Sequence, residues 1–403
     1  MKDIILQYIQ QHIPEFAENN LPIQIETPPS EEMGDFAVAC FPLARTMKQA
    51  PNMIAETLAE RLQSVEGIIV KNTGPYLNFF IGDALLVENL SKQDTCKQTE
   101  KNKKVMVEYS SPNTNKPQHL GHVRNNIIGM AMSSILSHTG YDVVKCNLYN
   151  DRGIAICKSM IAYQYLGNGE TPESSGTKGD HLVGKYYVLY KELCKKEGEE
   201  KIEAETSEML RKWEAGDRET RQLWQTMTDW VLTGYDQTYQ TLGCQFDAIY
   251  KESDTYMDGK DIIQEGLEKG IFQTKENGAV FADLSEYKLD EKILQRGDGT
   301  SIYITQDLGT TLRKFNEHNL DSATWVVANE QDYHFKVLFA LIDKLGYKDM
   351  TKSCHHLSYG YIQLPNGRMK SREGTVIDAD SLIAELQELC KDAIQSRNLE
   401  LEE

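Results

Sequence analysis

The sequence predicts a doubly wound, parallel α/β sheet interrupted by a helical insertion and preceded by a small α/β domain. Three observations carry that prediction. Between about residues 104 and 364, strand-like runs alternate with helical stripes, the pattern of repeated strand–helix–strand units. From about 154 to 247 the alternation stops and the periodicity is helical throughout. Ahead of both lies a hydrophilic stretch, 91–104 (SKQDTCKQTEKNKK), too polar to bury a core and readable as a linker. The expected division is therefore 1–100, 101–380 and a final segment, 381–403.

The first part opens on a helical stripe of Ile4, Ile5, Tyr8, Ile9 and Ile13, and 51–62 reads as a second helix opened by Pro51 or Asn52. Residues 68–70 and 77–81 read as strands split by Gly74-Pro75, and Met33-Gly34-Asp35-Phe36 as a tight turn. The second part begins with a strand containing Val105, Val107 and then Tyr109. Residues 110–117 string together Ser, Pro, Asn and Thr and break any regular element. Beyond His122, the residues Val123, Ile127, Ala131 and Ile135 recur as one apolar helical face. A second strand, 143–149, ends in polar residues and Gly153, as a strand emptying into a crevice would.

In the insertion, Trp213, Leu223, Trp224, Met227, Trp230, Val231, Tyr235 and Tyr239 form a helical stripe expected in the core. The acidic run 197–205 reads as a solvated face. Strand character returns at 279–284, 301–305 and 323–328, with helices at 308–318 and 335–345, restoring the parallel pattern. The last strands, 357–364, run into Pro365-Asn366-Gly367, and a helix carrying Leu382, Leu386 and Leu389 begins after Asp380.

Composition narrows the function. With 43 basic and 61 acidic residues the net charge is −18, so the chain repels nucleic acid on average and meets any RNA through local basic surface. The eight cysteines contain no CxxC pair, which argues for reduced thiols in a cytoplasm and against a zinc ribbon. Cys354-His355-His356 has no distant partner pair and reads as strand residues. There is no signal peptide and no apolar run long enough for a membrane span, so no membrane partner is expected.

The chemistry concentrates at His119-Leu120-Gly121-His122. These residues fall at a helix N-terminus, where free backbone N–H groups and the helix dipole attract anions. No acidic residue occurs between Tyr109 and Arg124, and Lys116 and Arg124 flank the histidines. Taken alone, His-x-Gly-His is equally a turn with two incidental histidines. A second basic loop, Arg368-Met369-Lys370-Ser371-Arg372-Glu373-Gly374-Thr375, would be surface solubility alone, but paired with the first it suits a phosphate clamp. Glu108 and Asp307, both expected at strand ends, are the carboxylates available to a cationic substrate; Asp307 alone is equally a helix N-cap.

The run Ser110-Ser111-Pro112-Asn113-x-x-Lys116-Pro117-x-His119-x-Gly121-His122-x-Arg124 resembles the signature of arginyl-tRNA synthetases, class I aminoacyl-tRNA synthetases of the bacterial type. The resemblance spans nearly the whole chain. It implies a Rossmann-like catalytic domain, an N-terminal domain that contacts tRNA, and an activity in which L-arginine and ATP give an adenylate that is passed to tRNA(Arg). ATP with Mg²⁺ enters as substrate, no tightly bound cofactor is implied, and a cytoplasmic monomer is expected. The helical anticodon-binding domain expected after residue 380 is absent, so the chain is read as truncated.

By the same resemblance, His119, His122, Lys116, Lys370 and Arg372 are the catalytic groups. ATP is implied at His119, Gly121, His122, Asp332, Met369, Lys370 and Ser371. Arginine is implied at Glu108, Ser110, Asn113, His119, Tyr303, Asp307 and Gln331, with Tyr303 and Asp307 reading the guanidinium and Glu108 and Asn113 near the ammonium and carboxylate. The basic loop departs from the Lys-Met-Ser-Lys-Ser motif of class I synthetases. Ser371 stands where the second lysine belongs, and Lys116 is expected to take over its work. Another His-x-Gly-His nucleotidyltransferase, a class I synthetase of different specificity, and a non-catalytic RNA-binding paralogue are the competing readings. The Asn-x-x-Lys-Pro lead-in, Tyr303-x-x-x-Asp307 and the intact histidine pair argue against them.

Overall fold

The structure, a computed structural model, describes residues 2–19, 21–62, 67–93, 100–300, 302–360, 362–364, 367–368 and 377–397. The chain divides into two compact units, Met1–Gln98 and Thr99–Glu403. In the first, strands β1 (Ile25–Glu26), β2 (Phe36–Ala39), β3 (Ile68–Thr73) and β4 (Tyr76–Ile81) form an antiparallel sheet in the order β1-β2-β4-β3. Helices α1 (Lys2–His12) and α2 (Pro51–Arg61) bring Ile5, Ile9, Ile54 and Leu58 into one core with Leu77 and Phe79. Proline at the first position of α2 gives up an N–H that would have had no helical partner. A third helix, α3, spans Asp83–Gln93.

The second unit is built on a five-stranded parallel sheet. Its strands are β5 (Lys104–Glu108), β6 (Asp142–Tyr149), β7 (Ala248–Lys251), β11 (Ser322–Ala328) and β12 (Cys354–Tyr359), in the order β12-β11-β5-β6-β7. The chain moves outward from β5 through β6 to β7, then returns to the other side of β5. That reversal splays the connections apart and leaves a crevice beyond the carboxyl ends of β5 and β11.

Helix α4 (Leu120–His138) joins β5 to β6. The insertion between β6 and β7 consists mainly of α5 (Ile154–Leu166), α6 (Gly179–Glu197), α7 (Glu199–Glu214) and α8 (Arg218–Leu242). Trp213, Trp224, Met227, Val231, Tyr235 and Tyr239 are buried there, so the aromatic stripe is core, as its spacing predicts. Cys354 and the adjoining histidines lie in β12.

Three expectations give way. The segment expected as a strand at 301–305 is the start of helix α10 (Tyr303–His318), capped by Ile302; Ser301 is outside the described residues. Thr305 explains the misreading, since its β-branched side chain is buried and donates to the carbonyl of Leu294 at 2.5 Å, a tertiary bond that outweighs strand propensity. The strand at 279–284 shortens to β9 (Val280–Ala282). It pairs with β8 (Gln273–Thr274) and β10 (Lys292–Gln295) in a separate antiparallel sheet, so it is no part of the parallel one. The final strands at 357–364 become β12, which begins earlier, and a short ladder of β13 (Gln363–Leu364) with β14 (Gly367–Arg368). Helix α9 (Asp258–Glu268) lies against α10, and α11 (Asp332–Lys344) and α12 (Ala379–Arg397) complete the unit.

A fourth difference concerns which side of α4 is buried. Beyond Val123 its apolar row faces out: Ile127 is 57% and Ile135 60% exposed, and Ala131 is exposed too. The buried side carries Val123, Asn125, Asn126, Gly129 and Ser133. The asparagines point inward because unladdered backbone lies beneath them. Asn125 Oδ1 accepts from the Ser110 amide at 2.6 Å, while its Nδ2 donates to the Val326 carbonyl at 2.7 Å and to the Tyr359 hydroxyl at 2.8 Å. Gly129 lets the helix sit directly on Tyr109, where a Cβ would come within 2.1 Å of the ring. We expect Asn125→Leu to lower stability by roughly 2–4 kcal/mol, because it leaves buried polar groups unpaired. Ile127→Gln and Ile135→Gln should each stay within about 0.5 kcal/mol of the parent, as exposed positions do. Denaturant melts of the three variants compare the two faces directly.

Candidate functional site

The connection from β5 to α4 is built on strained backbone and borrowed hydrogen bonds. Ser110 and Ser111 hold φ values of 72° and 43°, a region that non-glycine residues adopt only when their surroundings impose it. The surroundings here are specific. Besides Asn125, Asn147 Oδ1 accepts from the Ser111 amide at 3.0 Å, and Asn150 Nδ2 donates to the Ser111 carbonyl at 3.1 Å. The Tyr235 hydroxyl lies 2.7 Å from the Asn113 carbonyl and 2.6 Å from that of Lys116. Ser110 Oγ meets the Tyr239 hydroxyl at 2.7 Å, and Asn147 Nδ2 donates to that hydroxyl at 3.2 Å. Of the arginine-site residues expected in this loop, Ser110 is thus buried in the scaffold, whereas Asn113 is exposed.

His119 is the N-cap of α4. Its Nδ1 accepts from the Gly121 amide at 3.1 Å, and His122 Nδ1 accepts from the His119 amide at 3.1 Å, a reciprocal capping box. Because both rings accept at Nδ1, each neutral imidazole carries its hydrogen on Nε2 and offers one N–H donor at the helix N-terminus. Burial, with the nearby Lys116 ammonium, lowers the His119 pKa to about 4, and burial with His119 and Lys116 holds His122 well below its usual range. At neutral pH the pair therefore donates without adding positive charge. Gly121 has a local reason to be glycine: a Cβ there would meet His119 Cε1 at 2.8 Å and spoil the cap. Beside His119 a cavity of about 210 Å³ is lined in part by Lys116, Gln118, His181, Tyr187 and Asp378.

Of the expected carboxylates, Glu108 ends β5 and Asp307 lies in a helix. Glu108 is buried and forms an ion pair with Lys314 of α10, a partner with no local signal in the sequence. The Cys146 thiol also donates to Glu108, at 3.8 Å. Burial works against the charge on Lys314, but Glu108, Cys146 and Asp307 together raise its pKa, so the ammonium persists. Asp307 is neither at a strand end nor an N-cap. It sits inside α10, one turn after Tyr303, and its Oδ2 lies 2.7 Å from His334 Nε2. Tyr303 is 72% exposed. Asp332 opens α11 and accepts from Ser358 Oγ at 2.7 Å; Gln331, just before it, is exposed.

One group with a claim to function escaped the sequence reading. Glu252 follows β7 directly, at the carboxyl end of the sheet, and burial raises its pKa to about 7; Arg152 opposes the rise and Asp151 and Asp307 add to it. With the Gln306 amide turned to suit its neighbours, its nitrogen donates to Glu252 at 2.9 Å and its oxygen accepts from Arg152 at 3.1 Å. A buried carboxyl whose charge is opposed in this way gains from any cation brought beside it. The available signal was position alone, an acidic residue ending a strand, and β7 is too short to announce itself. Met369, Lys370, Ser371 and Arg372 lie outside the described residues.

The family described as tRNA synthetases class I (R), catalytic domain, matches residues 84–402, and the arginyl-tRNA synthetase N-terminal domain matches 1–81. The chain belongs to the arginyl-tRNA synthetase family. It is 48% identical over 396 residues to an arginine–tRNA ligase of Bacteroides fragilis, covering 93% of this chain and 66% of that protein. It is 45% identical over 413 residues to the corresponding ligase of Treponema denticola, covering 99% of this chain and 70% of that one. The chain thus spans somewhat under two thirds of the length of the first relative. The solved arginyl-tRNA synthetase of Thermus thermophilus matches with a TM-score of 0.71 at 22% identity, over 100% of this chain and 72% of that one, a likeness of fold. With it, the Rossmann-like class and the small domain ahead of it stand as expected. No helix among the described residues is long and apolar enough to cross a membrane.

The histidine cap carries a pH signature. Unfolded, His119 titrates near 6.5; folded, near 4. Its contribution is therefore complete above the unfolded value and is lost as pH falls toward the folded one, because the unfolded chain takes up a proton that the cap refuses. Between pH 7 and 5 the loss amounts to about 2 kcal/mol. His119→Asn keeps a capping oxygen and removes the titration, so its melting temperature should fall less steeply over that interval than the parent's.

Proposed function

We propose that this chain binds L-arginine and ATP and forms arginyl-adenylate, as the activating part of an arginine–tRNA ligase. What supports the proposal is a pair of neutral imidazole donors at a helix N-terminus, together with Asp307 and Glu252, two carboxyl groups that feel each other's charge. The first suits a polyphosphate and the second a guanidinium.

In the reaction we propose, a carboxylate oxygen of arginine attacks the α-phosphate of ATP in line. A C–O–P bond forms, the bond from the α-phosphorus to the bridging oxygen breaks, and pyrophosphate leaves with its Mg²⁺. The Nε2–H groups of His119 and His122 donate to the phosphoryl oxygens as negative charge builds on them, and Lys116 meets the leaving pyrophosphate. Lys370 and Arg372 join Lys116 by analogy with the class I motif, with Met369 and Ser371 beside the nucleotide and Asp332 near its ribose. Asp307 and Glu252 hold the guanidinium with Tyr303 and Gln331, while Glu108, Ser110 and Asn113 attend the ammonium and carboxylate. A terminal ribose hydroxyl of tRNA(Arg) then attacks the adenylate carbonyl and AMP departs. No side-chain nucleophile is required. We further propose that residues 1–100 contact the tRNA, that the chain acts as a monomer, and that it works in the cytoplasm.

Calorimetry with arginine tests the cationic pocket. Asp307→Asn should weaken binding by about 1.5–3 kcal/mol, roughly tenfold to a hundredfold. Because a bound guanidinium favours ionised Glu252, arginine affinity should rise with pH through about 7 and level off above it. Glu252→Gln should flatten that rise, and a flat profile in the parent removes Glu252 from the pocket. ATP–pyrophosphate exchange, run with and without tRNA(Arg), tests the chemistry. Lys116→Ala should lower the rate roughly a hundred- to a thousandfold, about 2.7–4 kcal/mol, with arginine affinity unchanged. Normal turnover by Lys116→Ala shifts that role to Lys370 or Arg372.

A further inference from the structure

The segment that follows the basic loop is bound to the histidine cap by main-chain hydrogen bonds. Leu120 N–H donates to the Ile377 carbonyl at 3.0 Å and Ala379 N–H to the Gln118 carbonyl at 3.0 Å, so His119 and Asp378 form an isolated antiparallel bridge. Among the described residues, α12 buries only Ala379, and apolar packing alone does not fix its start. What fixes it is charge. Asp380 Oδ2 lies 2.6 Å from Lys178 Nζ and 3.0 Å from His181 Nε2, and Asp380 Oδ1 accepts from Thr238 Oγ1 at 2.9 Å. Lys178 is the N-cap of α6, His181 lies in its first turn and Thr238 belongs to α8, so residues from two insertion helices converge on one carboxylate.

Asp180, His181 and Asp380 offer ligand atoms within 4.8 Å of one another, a spacing that suits a cation. The chain supplies that cation itself. Lys178 Nζ sits among them, 3.4 Å from Asp180 Oδ2 as well as 2.6 Å from Asp380. Asp180 is fully buried and adjoins α8 where Gly234 has no side chain. Burial alone would raise the Asp380 pKa, but His181, Lys178 and Thr238 hold it far below the usual carboxylate range. Asp380 therefore stays ionised at any physiological pH.

We infer that Asp380 is a positioning residue for the phosphate-binding end of the crevice, fastening residues 377–379 against His119 and Leu120 from the helical insertion. The inference rests on the reading of His119 as a phosphate donor. The insertion thereby sets both the cap itself, through Tyr235 on the loop before it, and the position of residues 377–379 beside that cap. Asp380 touches no substrate; its effect passes through the Ile377–Leu120 and Gln118–Ala379 bonds.

The test is amide hydrogen exchange on the purified chain, read at peptides covering 117–122 and at the strands β5 and β11. Asp380→Asn keeps an acceptor for Thr238 and removes the charge. It should speed exchange of the Leu120 amide by roughly tenfold or more while β5 and β11 exchange as in the parent. In pyrophosphate exchange the same variant should raise KM for ATP severalfold with arginine affinity unchanged, and Asp380→Glu should recover part of the protection. If Asp380→Asn does not fold, Thr238→Val takes its place with the same expectation at Leu120. Unchanged Leu120 exchange in the variant that folds overturns the inference. If ATP adds no protection at 117–122 in the parent, the phosphate reading fails instead, and the exchange comparison still decides whether Asp380 fastens the segment.

Discussion

The structure of the crevice depends on completing the hydrogen bonds of a stretch of backbone that the neighbouring strand serves only in part, through a bridge of Asn113 with Asn150 and a few flanking bonds. Residues 109–118 leave β5 at the centre of a parallel sheet, where water cannot reach every amide and carbonyl. Side chains take the place of secondary structure: Asn125 from α4, Asn147 and Asn150 from the end of β6, Tyr235 from α8. The polar inner face of α4 and the strained backbone at Ser110 and Ser111 both follow from that requirement. So does the helical insertion, whose aromatic core brings the tyrosine hydroxyl to the loop.

Charge is distributed with the same economy. The histidines at the helix N-terminus are kept neutral by burial and by the Lys116 ammonium, so they add donors to the helix dipole without adding charge of their own. Among the described residues, Glu108 has Lys314, Asp307 has His334 and Asp380 has Lys178 as partners. Glu252 shares its neighbourhood with Asp151 and Asp307 as well as with Arg152. In a chain of net charge −18, selectivity for anionic substrates must come from such local arrangements, since the overall field opposes them.

Much of this was legible in the sequence, and the limits of legibility have physical causes. The Val105–Arg124 stretch announced strand, loop and helix because each part carries its own chemistry: β-branching, turn formers, then periodicity. The aromatic stripe of α8 announced a core for the same reason. Helix α4 misled because periodicity reports a two-sided helix without saying which side faces protein; the aliphatic row lost to the amides that needed Asn125. Residues 303–305 misled because a buried threonine bond overrode propensity. Lys314 and Glu252 carried no local signal, since each acquires its role from a partner far away in sequence.

The fan of side chains beneath residues 109–118 bears on how such a site is inherited. A signature of a dozen or so letters looks portable, a cassette that could be spliced onto any sheet with a free strand end. Here its shape is stored elsewhere, in Asn125, Asn147, Asn150, Tyr235 and Tyr239, which sit on three other elements. Cut from those contacts, the same letters would hold neither the serine conformations nor the carbonyl positions. The smallest transferable unit is therefore the two central strands together with α4 and the last helix of the insertion. A lineage can rework the surface helices freely, but the motif and its remote supports have to be copied as one.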